Sequence, residues 1–125
     1  MKLKTLMIIK ALVCLTLGLA CLFVPYFLYS IFGATLGTGG AFAAREYGAS
    51  MIGTLFITWY ARNAVESEGR RAIILGLSVY DAIGFVITVF AILAGALNPL
   101  AWLIAALYLF LAVAFGYFFV NNPIP

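Results

Sequence analysis

Four times along this chain about twenty residues pass with scarcely a charge among them: about Thr5 to Val24, about Phe42 to Ala61, about Ala72 to Ala96 and about Leu100 to Val120. Runs of that length match a hydrocarbon layer of about 30 Å. In lipid, backbone N–H and C=O groups must find partners within the segment, which favours helices. With 66% hydrophobic and 9% charged residues, the chain departs far from the soluble average of roughly half apolar and a quarter charged. These features predict an all-α polytopic membrane protein, a single transmembrane domain over 1–125 with four antiparallel transmembrane helices in an up-down bundle.

The punctuation between the runs supports that layout. Pro25 ends or bends the first helix, and 25–33 reads as a short, aromatic-rich interfacial segment, followed by GATLGTGGAF as a flexible connector. Arg62 to Arg71 is the long polar linker, and Asn98-Pro99 supplies an N-cap and first-turn proline for the last helix. In a four-span path Lys2, Lys4, Lys10, Arg62, Arg70 and Arg71 share one side, against Arg45 on the other. The positive-inside rule then puts both termini in the cytoplasm of a bacterial inner membrane. Trp59, Tyr60 and Tyr117 are expected as anchors at the inner border, and Tyr26, Tyr29, Tyr47 and Trp102 at the outer one. The opening MKLKTLMIIKALVCLTLGLAC imitates a secretory signal, but the apolar run continues past Cys21, so an uncleaved first helix is expected.

Chemistry-bearing residues are sparse. Histidine is absent, Cys14 and Cys21 lie about 10 Å apart along one helix, and no metal-ligand spacing, nucleophile–base pair or nucleotide fingerprint occurs. GTGG lacks the lysine and preceding strand of a phosphate loop. No catalytic or metal residue is assigned, no cofactor is expected beyond a bound lipid or quinone, and the net charge of +3, spent on membrane borders, leaves no face for nucleic acid.

The exception is Asp81, in the middle of GLSVYDAIGFVITVF. At about 13 Å from Ala72 it lies near the bilayer midplane, where a carboxylate costs about 2.5 to 3.5 kcal/mol and must turn inward. Ser78, Asp81, Gly84 and Thr88 share one helical stripe, the expected packing face. Depth counting offers Thr54 and Tyr108 as partners and leaves Arg45 about 12 Å away, too distant for a salt bridge. The leading reading is a protonated acid that fastens helices and tolerates Asp81→Asn; the other is a titrating or ligand-binding acid.

Arg45 and Glu46 open the second helix, where they suit the helix dipole and snorkelling or a contact to a headgroup or partner. Gly48, Gly53 and Gly84, with Ala101 and Ala105 and with Ala112 and Gly116, form small-residue pairs or gaps expected to seat neighbouring helices.

The pieces PYFLYSIFG, AREYGASMIG, WYAR and the closing AFGY, in that order, resemble the DoxX-like group of small bacterial four-helix membrane proteins. The resemblance implies the four-span fold and a recurrent arginine at Arg45 and Arg62, and brings no reaction with it. Function is therefore expected from packing: a non-enzymatic accessory or structural subunit of a larger membrane assembly, possibly bioenergetic, or a homo-oligomer, with membrane lipids and membrane-protein subunits as partners. The alternative is a carrier or binder of a lipophilic molecule, quinone or lipid, at the intramembrane acid.

Overall fold

A computed structural model describes residues 1–121. They form α1 (Leu3–Phe23), α2 (Pro25–Ile31), α3 (Thr38–Ala61), α4 (Glu68–Leu93), a 3-10 turn (Pro99–Ala101) and α5 (Trp102–Asn121), with no strand among them. Three stretches, Leu3–Phe23, Glu68–Leu93 and Pro99–Asn121, are long and apolar enough to cross a membrane. That is one fewer than the four expected. α3 has the length, 24 residues, but its glycines, threonines, Arg45 and Glu46 dilute its apolar character. Large apolar side chains such as Phe56, Phe90, Leu103 and Val113 face outward, as suits a membrane-embedded protein.

Local chemistry sets the breaks. Pro25 has no N–H to continue α1, and Val24 leaves helical geometry at φ −134°, ψ 52°. The expected interfacial segment is thus the short helix α2. Gly33 follows it at φ +79°, with room for a Cβ limited by Asn98 at 3.1 Å, so both backbone sign and space call for glycine. The glycine-rich connector is shorter than expected, because α3 already starts at Thr38. Ser67 caps α4 by accepting the Arg70 N–H at 3.1 Å, drawing the helix start back to Glu68, and Asn98 Oδ1 accepts the Leu100 N–H.

The long helices pair in two antiparallel sets. α1 lies against α3, where a Cβ on Gly48 would stand 2.8 Å from the Gly18 carbonyl oxygen. α4 lies against α5, held by Ser78 Oγ donating to Ala112 O at 2.8 Å and by an Arg71 guanidinium donating to Phe119 O at 2.9 Å. Small residues let backbones approach within each pair, as packing in lipid demands. Between the pairs the backbones stand farther apart and larger side chains bridge the gap.

That gap is filled differently at its two ends. Toward the Arg62 and Arg71 end, Leu3, Leu6, Met7, Ala61, Ile74, Leu77, Leu111 and Phe115 make one buried apolar cluster drawn from all four long helices. Toward the other end, α2 and the turn before α5 close over the bundle. There Asn98 donates its backbone N–H to Phe32 O at 2.7 Å and its side-chain amide to Ile31 O at 3.0 Å.

Candidate functional site

Asp81 projects from the middle of α4 and is fully buried. Its partner is Lys10 of α1, whose Nζ lies 2.6 Å from Asp81 Oδ1. This corrects two expectations. Lys10 is not a border lysine, since only 1% of it is exposed, and Asp81 is not a solitary acid fastening helices by neutral hydrogen bonds. An ammonium and a carboxylate each isolated in a dry interior are costly, and placing them in contact offsets much of that cost. The residues beside Lys10 carried the signal: Leu3, Leu6, Met7, Lys10, Cys14, Gly18 and Cys21 recur at three- and four-residue steps and are all buried, so the lysine sits on the packed stripe of α1. Charge counted by side of the membrane hid what helical phase reveals.

Lys10 Nζ also stands 4.5 Å from the centroid of the Tyr80 ring, a cation–π contact, and Tyr80 stacks with Tyr47 at 6.5 Å between centroids. Tyr47 and Tyr108 join hydroxyl to hydroxyl. Tyr47 is therefore an inward residue and not an interfacial anchor, and Tyr29 likewise faces an internal cavity. The ion pair links α1 to α4 and the tyrosine pair links α3 to α5, so each spans the gap between the two helix pairs. Asp81 Oδ2 and the Tyr80 hydroxyl are buried with no hydrogen-bond partner. A void of about 10 Å³ beside Lys10, Asp81, Tyr47 and Tyr108 adjoins this cluster.

Beyond the tyrosines lies a cavity of about 440 Å³. Its walls come from α1 (Leu17, Cys21), α2 (Leu28, Tyr29), α3 (Tyr47), α4 (Tyr80, Ile83, Gly84, Ile87, Thr88) and α5 with its preceding turn (Ala101, Ile104, Tyr108). No wall residue is charged. Ile83 and Ile87 line the wall and are also well exposed, at 57% and 61%, which places the cavity's opening along α4.

The other expected site residues fall in different places. Tyr108 packs over Gly84, where a Cβ would come within 2.5 Å of its ring; this contact fixes the ring at the cavity floor. Ser78 bonds Ala112 O and joins α4 to α5 without touching the acid. Thr54 does not reach Asp81: its hydroxyl donates to Ser50 O of its own helix, the usual outlet for a threonine with no partner across the gap. Gly53 seats no helix of this chain: it is exposed with nothing within 4 Å of a Cβ. Gly48 and Gly84 are close-approach positions, Ala101, Ala105 and Ala112 are buried, and Gly116 faces Ser78 Oγ. Arg45 Nε donates to Leu22 O at 3.3 Å, tying α3 to the end of α1, while Glu46 is exposed. Both cysteines are buried free thiols. No group of three potential metal ligands occurs among the described residues.

The chain matches no known protein family, no curated protein and no solved structure.

Proposed function

We propose that this protein is a small multi-span membrane protein that holds a lipophilic molecule, a lipid or a quinone, in the cavity between its two helix pairs. The observation that carries the proposal is the conjunction of an uncharged cavity of about 440 Å³, open to hydrocarbon, with a tyrosine cluster in its wall and a buried ion pair on the far side of those tyrosines. Pockets of roughly 300–1,000 Å³ with apolar walls and a few convergent polar groups are what small lipophiles occupy. A charge pair deep among apolar helices is costly to retain for packing alone, which favours a role at a site.

In this reading α3 is the fourth span. It runs alongside α1 from the Arg45 contact at one end to Ala61 beside the first turns of α1 at the other, so it lies at the same depth. Lys2, Lys4, Arg62, Arg70 and Arg71 then mark the cytoplasmic side of a bacterial inner membrane, both termini lie there, and the cavity occupies the opposite leaflet. The resemblance to the DoxX-like group agrees with four spans.

One observation favours the alternative of an accessory subunit or homo-oligomer: Ala49 and Gly53 of α3 and Gly76 of α4 are exposed, small, and open to a neighbouring helix. Extraction from the native membrane in a mild detergent, followed by mass measurement of the intact particle, divides the two. A monomer carrying one lipophile per chain supports the binder. A larger assembly with an unoccupied cavity refutes it.

A further inference from the structure

The residues of the cavity wall carry five side-chain hydroxyls, and four are engaged or out of reach. Those of Tyr47 and Tyr108 are joined to each other, Thr88 Oγ1 donates to Gly84 O at 2.7 Å, and the Tyr80 hydroxyl has no exposed surface. The fifth, on Tyr29 of α2, makes no hydrogen bond among the described residues and keeps open surface. Tyr29 stands on the inward side of its helix: Leu28 and Phe32 beside it line the same cavity, whereas Tyr26, Phe27 and Ile31 are exposed. The cavity's free hydrogen-bonding group is thus at the roof, and the floor offers tyrosine rings.

Size restricts the occupant as well. At about 30 Å³ for a water-sized group, a cavity of about 440 Å³ receives about fifteen heavy atoms, which is one tail and its head but not a two-tailed lipid. From Tyr80 to Thr88 along α4 the wall runs about 12 Å, close to one leaflet's share of a hydrocarbon layer of about 30 Å.

We infer that the cavity takes a single-tailed lipophile with its oxygen-bearing head beneath α2, at the Tyr29 hydroxyl, and its tail end on the tyrosine floor. A tyrosine hydroxyl both donates and accepts, so an alcohol or a carbonyl oxygen serves as the head. This inference rests on the lipophile-binding reading and adds the size, orientation and recognition of the ligand. Head and tail then stand as they do in the surrounding leaflet, and the molecule enters past Ile83 and Ile87 without turning over.

The test uses the full chain in dioleoylphosphatidylcholine nanodiscs and tetradecanol carrying a photoreactive diazirine either next to the hydroxyl or next to the tail end, with labelled peptides mapped by mass spectrometry. The head-end diazirine is expected to label α2 between Leu28 and Phe32, and the tail-end diazirine to label Gly84, Ile104 or Tyr108. Tetradecanol is expected to label the cavity at a membrane fraction about fivefold below that needed by tetradecane with the same diazirine, the effect of one net hydrogen bond. Tyr29→Phe removes a hydroxyl that bonds nothing in the fold, and is expected to erase that difference. A reversed labelling pattern overturns the orientation and leaves lipophile binding intact. An undiminished alcohol preference in Tyr29→Phe overturns recognition by Tyr29, and equal cavity labelling by dimyristoylglycerol with a tail-end diazirine overturns the single-tail limit. Labelling confined to outward residues such as Phe56, Leu103 and Val113 overturns the binding reading itself.

Discussion

At the end marked by Arg62 and Arg71 the four long helices meet through a solid apolar cluster, whereas at the Asn98 end the same four helices stand around a hollow. Helix type and solvent are common to both ends, so the contrast comes from side chains. Leu6, Met7, Leu111 and Phe115 interdigitate across the gap between the helix pairs. Above Lys10 and Asp81 the gap is held by three tyrosine rings that bond to one another and to the ion pair instead of collapsing, and α2 roofs the space they leave. A polar layer can thus act as a spacer: its members make their mutual contacts only at a fixed separation, and that separation keeps the region beyond them open. The solid end supplies rigidity that the hollow end lacks.

The contrast depends most on the ion pair, which stands at the border of the two regions. Lys10→Met or Asp81→Asn leaves one buried charged group without its partner and is expected to cost about 3–5 kcal/mol. The structure therefore reverses the sequence-based expectation that Asp81→Asn is tolerated. The double variant Lys10→Met with Asp81→Leu removes both charges and is expected to recover most of the loss while altering the layer behind the tyrosines. A double-mutant cycle on unfolding from mixed micelles checks this; single variants that each cost under about 1 kcal/mol would show that the pair does not hold the halves together.

Truncation on either side of that border should then separate the regions. Phe115 is fully buried among α1 and α4 side chains, and Phe115→Ala is expected to cost about 3 kcal/mol, near the low end for such changes because lipid is as apolar as the helix interior and only packing is lost. Leu28→Ala, at the roof, enlarges a space that already exists and is expected to cost about 1 kcal/mol or less. Equal losses in the same unfolding assay would mean that the hollow end is packed in solution. Gly84→Ala is intermediate. Its Cβ would press into the Tyr108 ring at 2.5 Å, and since that ring is held by Tyr47, an overpacking cost of about 1–3 kcal/mol is expected, with loss of lipophile binding by displacement of the floor.

Much of this architecture is legible in the residues. The apolar runs, Pro25, Asn98-Pro99 and the glycines at 48 and 84 announce helices, breaks and close approaches through local chemistry. The site is legible only in part, because its members reach one another through tertiary contacts 61 to 71 residues apart. Depth counting singles out Asp81 but gives it Thr54 and Tyr108 as partners, whereas Thr54 bonds its own helix and Tyr108 bonds Tyr47, and treating every lysine near the N-terminus as a border charge conceals Lys10. Residue type alone places Tyr47 and Tyr29 at the membrane border, since an interfacial tyrosine and a cavity tyrosine look alike until helix phase and neighbours are known.

The smallest effect concerns the outside of the hollow end's neighbour, α3. Gly53 is exposed with open space around it, so Gly53→Ala meets no steric obstacle and gains helix propensity. For a chain that works alone, a stabilisation of up to about 1 kcal/mol is expected from thermal unfolding of the detergent-solubilised monomer, with lipophile binding unchanged. A chain that docks another helix against Ala49 and Gly53 behaves otherwise, because a methyl group there keeps the backbones apart. Gly53→Leu magnifies the distinction: it leaves a lone binder unaffected, but a partner seated on that face is expelled, and the particle extracted from membranes loses mass.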